Sequence, residues 1–363
     1  MRVLHILNHT QRLNGNVHAM VDLACAQTRL GHRVAVASKG GDFDALLARN
    51  EVETMIVDQR RKPAVLLKAS ADLFRLVRRW RPDVVHAHMM TSAVLAWPTC
   101  KLLGVPLVTT VHNEFQRSAV LMGLGSRVIA VSAAVGRSLR KRGVPPSRVH
   151  VVLNGTIGSA RQARADRTAR ELRRPAVVFV GGLHPRKGLP DLLRAFEEVA
   201  RDHPSAHLYV LGDGPCADEY KDMARRTACA EAVTFLGGQD DPFPFLLGAD
   251  IFVLPSHADP APLVVPEARE AGCAIVATAV DGVPELLENG EAGILVPPRD
   301  PARLADAIRF LLQDPNRLRE WRDRSQINID HLRIERVAGQ TLQIYQSALR
   351  PARLGAMFGH KRV

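Results

Sequence analysis

Short apolar runs alternate with longer stretches of helical spacing along the whole chain. RVLHIL (2–7) is a run of the strand type, and the stretch from about Val17 to Leu30, ended by Gly31, has helical periodicity. HRVAVAS (32–38) and Met55–Val57 read as the second and third strands, and residues 64–80, closed before Pro82, as an amphipathic helix. DVVHAH (83–88), VPLVTTVH (105–112), RVIAVS (127–132) and RVHVVLN (148–154) are further strand-like runs. Strands buried on both faces and alternating with helices predict a parallel, doubly wound sheet.

The pattern then starts afresh. PAVVFVG (175–181), HLYVLGDG (207–214), AVTFLG (232–237), IFVLPS (251–256), AIVATA (274–279) and GILVP (293–297) are strand-like, again with helices between them. The expected fold class is therefore α/β, with two doubly wound parallel-sheet domains facing across a cleft. The expected division is 1–158 for the first domain, 159–174 for a linker, 175–345 for the second domain and 346–363 for a tail. The helical stretch from about Pro301 to Leu349 is long enough for its last part to cross back onto the first domain. Ligands of open α/β sheets bind at strand C-terminal ends, so the active site is expected in the cleft.

Composition narrows the class. The 363 residues are 46% hydrophobic and 24% charged, which excludes a disordered or collagen-like chain. The five cysteines lack metal-ligand spacing, and their odd number fits a reducing compartment. No apolar run approaches the roughly 20 residues that span a bilayer, and MRVLHILNHT reads as a first strand rather than a secretory signal. A cytoplasmic location is expected.

Charge adds a second feature. Residues 1–158 hold 22 Lys and Arg against 9 Asp and Glu, whereas the rest of the chain is near balance. The linker carries Arg161, Arg164, Arg167, Arg170, Arg173 and Arg174. RRKPAVLLKASADLFRLVRRWRP (60–82) sets basic residues beside Leu66, Leu67, Phe74, Val77 and Trp80, and GRSLRKRG (136–143) adds a basic cluster. These stretches predict contact with an anionic membrane surface, against the plainer alternative of a core-facing helix with a solvated basic side. No nucleic-acid motif accompanies the basic surplus, and aromatic residues are only 5%, so no nucleic-acid partner is expected.

Three windows carry chemistry. In LPSHADPAPLVVPEAREAG (254–272), Asp259 and Glu267 flank a strand-to-helix turn. A helix starting near Leu263 has free backbone N–H groups that suit a phosphate, and a carboxylate one turn in suits a ribose diol. In VGGLHPRKGLPDLL (180–193), Arg186 and Lys187 follow a strand end, where two cations suit a diphosphate. In the first half, Gly15 lies in a loop after the first strand, and His86, His88 and His112 lie at strand ends without zinc-site spacing. Each window has a plainer reading: a capping Asp, a solvated basic turn, a structural histidine.

Taken in order, these motifs resemble the family-4 retaining glycosyltransferases of the GT-B fold. The resemblance rests on the Asn14–Gly15 loop, DVVHAH, TTVHN, VSAAV, VLNG, VGGL with RKG, GDGP, FLG, the acid pair with seven residues between its members and LVVPEA, and the closing ERVAGQTLQIYQSAL. It implies transfer of a sugar from a nucleotide-sugar, a UDP-sugar by preference, to a glycan or lipid-linked acceptor. Assembly of bacterial cell-surface polysaccharide or lipopolysaccharide would fit, at the inner face of the membrane. It implies catalytic roles for His112, Lys187 and Asp259. The implied donor site takes Gly15, Arg186, Lys187, Gly212, Leu236, Asp259, Leu263, Val264 and Glu267, and it needs no metal or other cofactor.

Some positions depart from the family pattern. Asp259 replaces the usual Glu, Gly182 stands where an Arg is usual, Pro262 replaces a Gly, Pro266 enters the helix, and the first loop keeps a single glycine. The alternatives left open are a sugar-nucleotide epimerase or a non-catalytic sugar-nucleotide-binding protein of the same fold.

Overall fold

The computed structural model describes residues 1–12, 14–113, 117–162 and 168–349. Arg164 and Arg167 of the linker, and residues 350–363 of the tail, lie outside the described residues.

Seven strands form the first sheet: β1 (Arg2–Ile6), β2 (Arg33–Ser38), β3 (Glu53–Ile56), β4 (Val84–Ala87), β5 (Leu107–Val111), β6 (Arg127–Ala130) and β7 (Val149–Val151). Their order is β3-β2-β1-β4-β5-β6-β7, and every pairing is parallel. Six form the second: β8 (Ala176–Val180), β9 (His207–Leu211), β10 (Val233–Gly237), β11 (Ile251–Leu254), β12 (Ala274–Thr278) and β13 (Ile294–Val296). Their order is β10-β9-β8-β11-β12-β13, again all parallel. Both orders reverse direction beside the first strand of their sheet, which opens a crevice at the strand ends. All five residues of β5, β9 and β12 are buried, as strands covered on both faces require.

The helix Pro63–Trp80 buries Ala69, Leu73, Val77 and Trp80 in the same core as Leu4, Ile6 and Val85. The burial takes Val77 and Trp80 out of the apolar set named for a membrane contact in residues 60–82. The apolar face containing Val77 and Trp80 is covered by the sheet, because a helix on a doubly wound sheet must bury its stripe there. Leu66 packs against that core too, Phe74 is half-buried, and Leu67, 74% exposed, faces away. No helix among the described residues is long and apolar enough to cross a membrane.

The chain ends on the first domain. After the helices Pro301–Leu312 and Pro315–Gln326, the helix Ile334–Leu349 places Leu342, Ile344 and Tyr345 against Val3, Val84, Val108 and Ile129. The expected end of the second domain at residue 345 therefore falls inside a helix that packs on the first sheet. The crossing is pinned by a parallel bridge between Ile157 and Arg333. A Cβ at Gly155 would lie 2.4 Å from the Leu332 carbonyl oxygen, so this close passage requires glycine.

Loops after the strands of one sheet meet loops after the strands of the other. The Asn154 side-chain amide donates to the Ala261 carbonyl at 2.8 Å, and the Ala133 backbone N–H lies 2.9 Å and 3.0 Å from the two Glu285 carboxylate oxygens. Arg12 pairs with Asp240 across the same gap.

Candidate functional site

β8 runs into Gly181-Gly182, and Pro185–Lys187 form a single tight turn closed by Gly188 in the left-handed region, φ 67°. A Cβ at Gly188 would sit 1.9 Å from the Pro255 carbonyl oxygen. Glycine thus lets this basic loop lie flat against the end of β11. The His257 N–H donates to the Arg186 carbonyl at 2.7 Å, which ties the two loops together.

Their side chains converge. Lys187 Nζ lies 2.5 Å from Asp259 Oδ2, and both side chains are nearly buried, 13% and 7% exposed. Ser256 Oγ donates to the same Asp259 oxygen at 3.1 Å, and the Asp259 N–H donates to Asp281 Oδ2 at 2.6 Å. Burial pushes the Asp281 carboxyl up, against the pull of that N–H. Arg186 Nη1 reaches the Ala258 carbonyl at 3.5 Å. Two cations and a carboxylate therefore sit together at adjacent strand ends.

The helix Val264–Glu270 begins one turn further on, with Leu263 at its N-cap. Pro266 is its third residue, where a missing N–H leaves no intrahelical bond unmade. Glu267 is 8% exposed, and burial raises its carboxyl to about 7. Arg161 acts in the opposite direction; Asp22 and Asp241 add to the rise.

Arg161 departs from the linker reading. Far from a solvated charge, its side chain is 11% exposed and bridges the two domains. Its Nε lies 2.8 Å from Asp22 Oδ1 and its Nη2 3.4 Å from Glu267 Oε1. Thr156 Oγ1 donates to Asp22 Oδ2 at 2.6 Å and accepts from Arg161 Nη2 at 2.9 Å. Burial opposes the guanidinium charge, but Asp22 and Glu267 outweigh it and move the Arg161 pKa upward.

Gly212 and Leu236 lie at the ends of β9 and β10. The Gly212 N–H donates to the Gly237 carbonyl at 2.8 Å, and the Leu236 carbonyl accepts from the Gln239 side chain at 2.7 Å. Gly15 is the first residue of the helix Gly15–Arg29, and a Cβ there would meet nothing within 4 Å among the described residues.

His112, at the end of β5, lines a cavity of about 210 Å³ with Asn8, Asn16, Arg61, His88 and Thr110. It makes no hydrogen bond to Lys187, Asp259 or Glu267 among the described residues; its partner is His88 Nδ1, at 3.2 Å. The three expected histidines are joined by His5 from β1. The His5, His86 and His88 rings offer nitrogens within 4.8 Å of one another, the spacing of a metal cluster. All six of their ring nitrogens already have a partner among the histidines, Gln27, Tyr345 and Thr110. The cluster is complete as a hydrogen-bond network.

Comparison with known proteins places this geometry. The family model described as Glycosyl transferases group 1 matches residues 174–314, and the one described as Glycosyltransferase Family 4 matches residues 13–156. The chain is 33% identical over 303 residues to glycogen synthase of Mycobacterium tuberculosis, covering 76% of this chain and 71% of the relative. It belongs to the family-4 glycosyltransferases. It is also 29% identical over 331 residues to alpha-maltose-1-phosphate synthase of Mycolicibacterium smegmatis, covering 78% of this chain and 84% of the relative. In the solved structures, HepE of Anabaena in complex with UDP-glucose superimposes with a TM-score of 0.82 at 19% identity, over 96% of this chain and 100% of that one. The fold of this family-4 glycosyltransferase is GT-B, and the enzyme is a hexosyltransferase.

Several residues at the site escaped the sequence reading. Asp22 was passed over inside an apolar helix; an acid in the run MVDLACA is the signal, since a buried acid needs a partner. His5 sits in an apolar strand in the same way. Asp281, at φ 45°, carries no local signal of its role.

Proposed function

We propose that this glycosyltransferase moves a sugar, with retention at the anomeric carbon, from a UDP-sugar to a glycan or lipid-linked acceptor. The observation that carries the donor half is the Lys187–Asp259 pair with Arg186 at adjoining strand ends. As the bond to the sugar breaks, negative charge develops on the leaving diphosphate. Lys187 and Arg186 stabilise that charge electrostatically, and the backbone at Leu263 and Val264 meets the phosphate and sugar. These groups supply the neutralisation without a divalent ion. The leaving phosphate takes the proton of the acceptor hydroxyl as the new bond forms.

Glu267 accepts hydrogen bonds from the ribose diol, and Asp259 from hydroxyls of the donor sugar. Gly212 and Leu236 border the base, Gly15 approaches the diphosphate, and His112 lies beside the sugar. The UDP-glucose named for the HepE structure supports the choice of nucleotide. A thermal-shift panel of UDP-, GDP- and ADP-sugars tests it, because a ligand that binds the native state raises Tm. UDP-sugars giving no shift while another nucleotide does would overturn that choice.

For the acceptor, the reading is a precursor of bacterial cell-surface polysaccharide or lipopolysaccharide, met on the cytoplasmic side of the membrane. The surface that supports it is the helix Met90–Leu103, where Val94, Trp97 and Leu102 are 41%, 41% and 77% exposed beside Lys101. The name of the M. tuberculosis relative favours a second reading, a glucan acceptor. Sedimentation with anionic liposomes at low salt separates the two: retention supports the membrane reading, and turnover on glycogen without retention supports the glucan.

A further inference from the structure

A strand-end histidine at the cleft is backed by three more inside the first domain, and the order of their hydrogen bonds explains why. His112 Nε2 meets His88 Nδ1 at 3.2 Å, His88 Nε2 meets His5 Nδ1 at 2.9 Å, and His5 Nε2 meets the Gln27 amide oxygen at 2.8 Å. From there the Gln27 amide nitrogen reaches the Tyr345 hydroxyl at 3.3 Å. That hydroxyl meets His86 Nδ1 at 2.6 Å, and His86 Nε2 meets Thr110 Oγ1 at 2.7 Å. The network is a single chain of six bonds.

A neutral imidazole has one N–H and one lone pair, so the direction of one bond sets the next. Burial keeps all four rings neutral: His5 and His112 are lowered to about 4, and His86 and His88 fall well below the ordinary value. An amide oxygen only accepts, so His5 carries its proton on Nε2. His5 Nδ1 then accepts from His88 Nε2, and His88 Nδ1 accepts from His112 Nε2. On the other arm the amide N–H donates to Tyr345, the phenol proton goes to His86 Nδ1, and His86 Nε2 donates to Thr110.

Two of the distances favour this direction over its reverse, and the 2.7 Å from His86 to Thr110 suits either. The 3.3 Å from Gln27 to Tyr345 suits a weak N–H donor and is too long for an O–H donor. The 2.6 Å from Tyr345 to His86 suits an O–H donor and is short for an N–H. His112 therefore holds its proton on the inward nitrogen. Its Nδ1 takes no partner among the described residues and remains a lone pair. Both ends of the chain, His112 and Thr110, line the same cavity.

We infer that Gln27 and Tyr345, neither of which lines this cavity, are positioning residues that fix His112 as the Nε2–H tautomer, so that it offers an acceptor to a donor-sugar hydroxyl. This rests on the reading above that His112 lies beside the donor sugar. Turning the Gln27 amide over reverses every bond and replaces the lone pair by an N–H. Tyr345 holds the amide by taking its N–H and passing the direction on to His86. The helix Ile334–Leu349, from the far end of the chain, thus sets a protonation state at the cleft.

Nitrogen-15 imidazole NMR of the full chain, with His112 assigned by its absence in His112→Asn, tests the inference. The wild-type spectrum is expected to show His112 as a single Nε2–H tautomer. In Tyr345→Phe and Gln27→Leu an Nδ1–H population of His112 should appear. The kcat should fall about tenfold with the donor KM within about twofold, as for loss of one aligned hydrogen bond. An Nδ1–H tautomer in the wild type, or an unchanged Nε2–H tautomer in both variants, overturns the inference. The wild-type spectrum decides the direction even where a variant does not fold. A wild-type chain that UDP-sugars do not stabilise would sink the donor reading and leave the tautomer result standing.

Discussion

Lys187 Nζ and Asp259 Oδ2, 2.5 Å apart, close a bond between the loop after β8 and the loop after β11. The cation has a carboxylate partner, so on the donor reading proposed above a diphosphate would share Lys187 with Asp259. Lys187→Ala is expected to lower kcat/KM by about 10²- to 10³-fold, the scale for losing one preorganised electrostatic group. The fold should survive with a modest fall in Tm, since Ser256 still donates to Asp259. Near-normal turnover in a sugar-nucleotide assay would remove Lys187 from the role.

Arg161 links Asp22 of the first domain to Glu267 of the second. Removing the guanidinium leaves Asp22, fully buried, with Thr156 as its remaining partner. Arg161→Met is expected to cost about 3–5 kcal/mol of stability, the range for an uncompensated buried charge. The double variant Asp22→Asn with Arg161→Met should recover part of that loss. Urea denaturation of both singles and the double measures the coupling, and simple additivity would show that the bridge carries no energy.

Most of the fold was legible in the sequence, and the site only in part. Twelve of the thirteen strands follow from apolar runs of strand length, whereas the edge strand β3, with Ile56 73% exposed, shows in the sequence only as Met55–Val57. The basic loop and the Asp259–Glu267 window were legible because their chemistry lies within a few residues of a strand end. The Asp22–Arg161–Glu267 bridge was not, since its members are distant in sequence and nothing local says that the three meet. Which side of the helix Pro63–Trp80 meets the sheet was not legible, because amphipathicity is identical for a helix on a sheet and a helix on a membrane. Pairing of Tyr345 with His86 required knowing where the last helix lands.

Glu267 makes donor binding sensitive to pH. Its carboxyl is raised by burial to about 7, and ribose hydroxyls favour the carboxylate. Binding therefore releases a proton, and UDP affinity should rise by about three- to tenfold between about pH 6 and about pH 8. The stability effect has the opposite sign. A folded-state value above the unfolded 4.5 contributes stability that is full below 4.5 and lost as pH rises through 7. Titration calorimetry across this range checks the affinity, and Glu267→Gln should flatten both profiles. A profile equally steep in that variant would exclude Glu267 as the titrating group.

Two glycines of the basic loop make opposite predictions. At Gly188 the backbone has φ 67°, and a Cβ would lie 1.9 Å from the Pro255 carbonyl oxygen. Gly188→Ala must move the loop off the end of β11, with a cost of about 1–3 kcal/mol for the left-handed conformation alone. Lys187 moves with it, so turnover should fall about as far as in Lys187→Ala. At Gly182 the nearest atom to a Cβ is the Asp213 carbonyl oxygen at 3.8 Å, an ordinary contact. Gly182→Ala should leave Tm and turnover near wild type. Gly182→Arg, which restores the residue the family usually carries there, should tighten UDP binding by adding a third cation beside Arg186 and Lys187. Calorimetry on the three variants separates the cases. Weaker UDP binding in Gly182→Arg than in Gly182→Ala would mean that position 182 does not face the diphosphate.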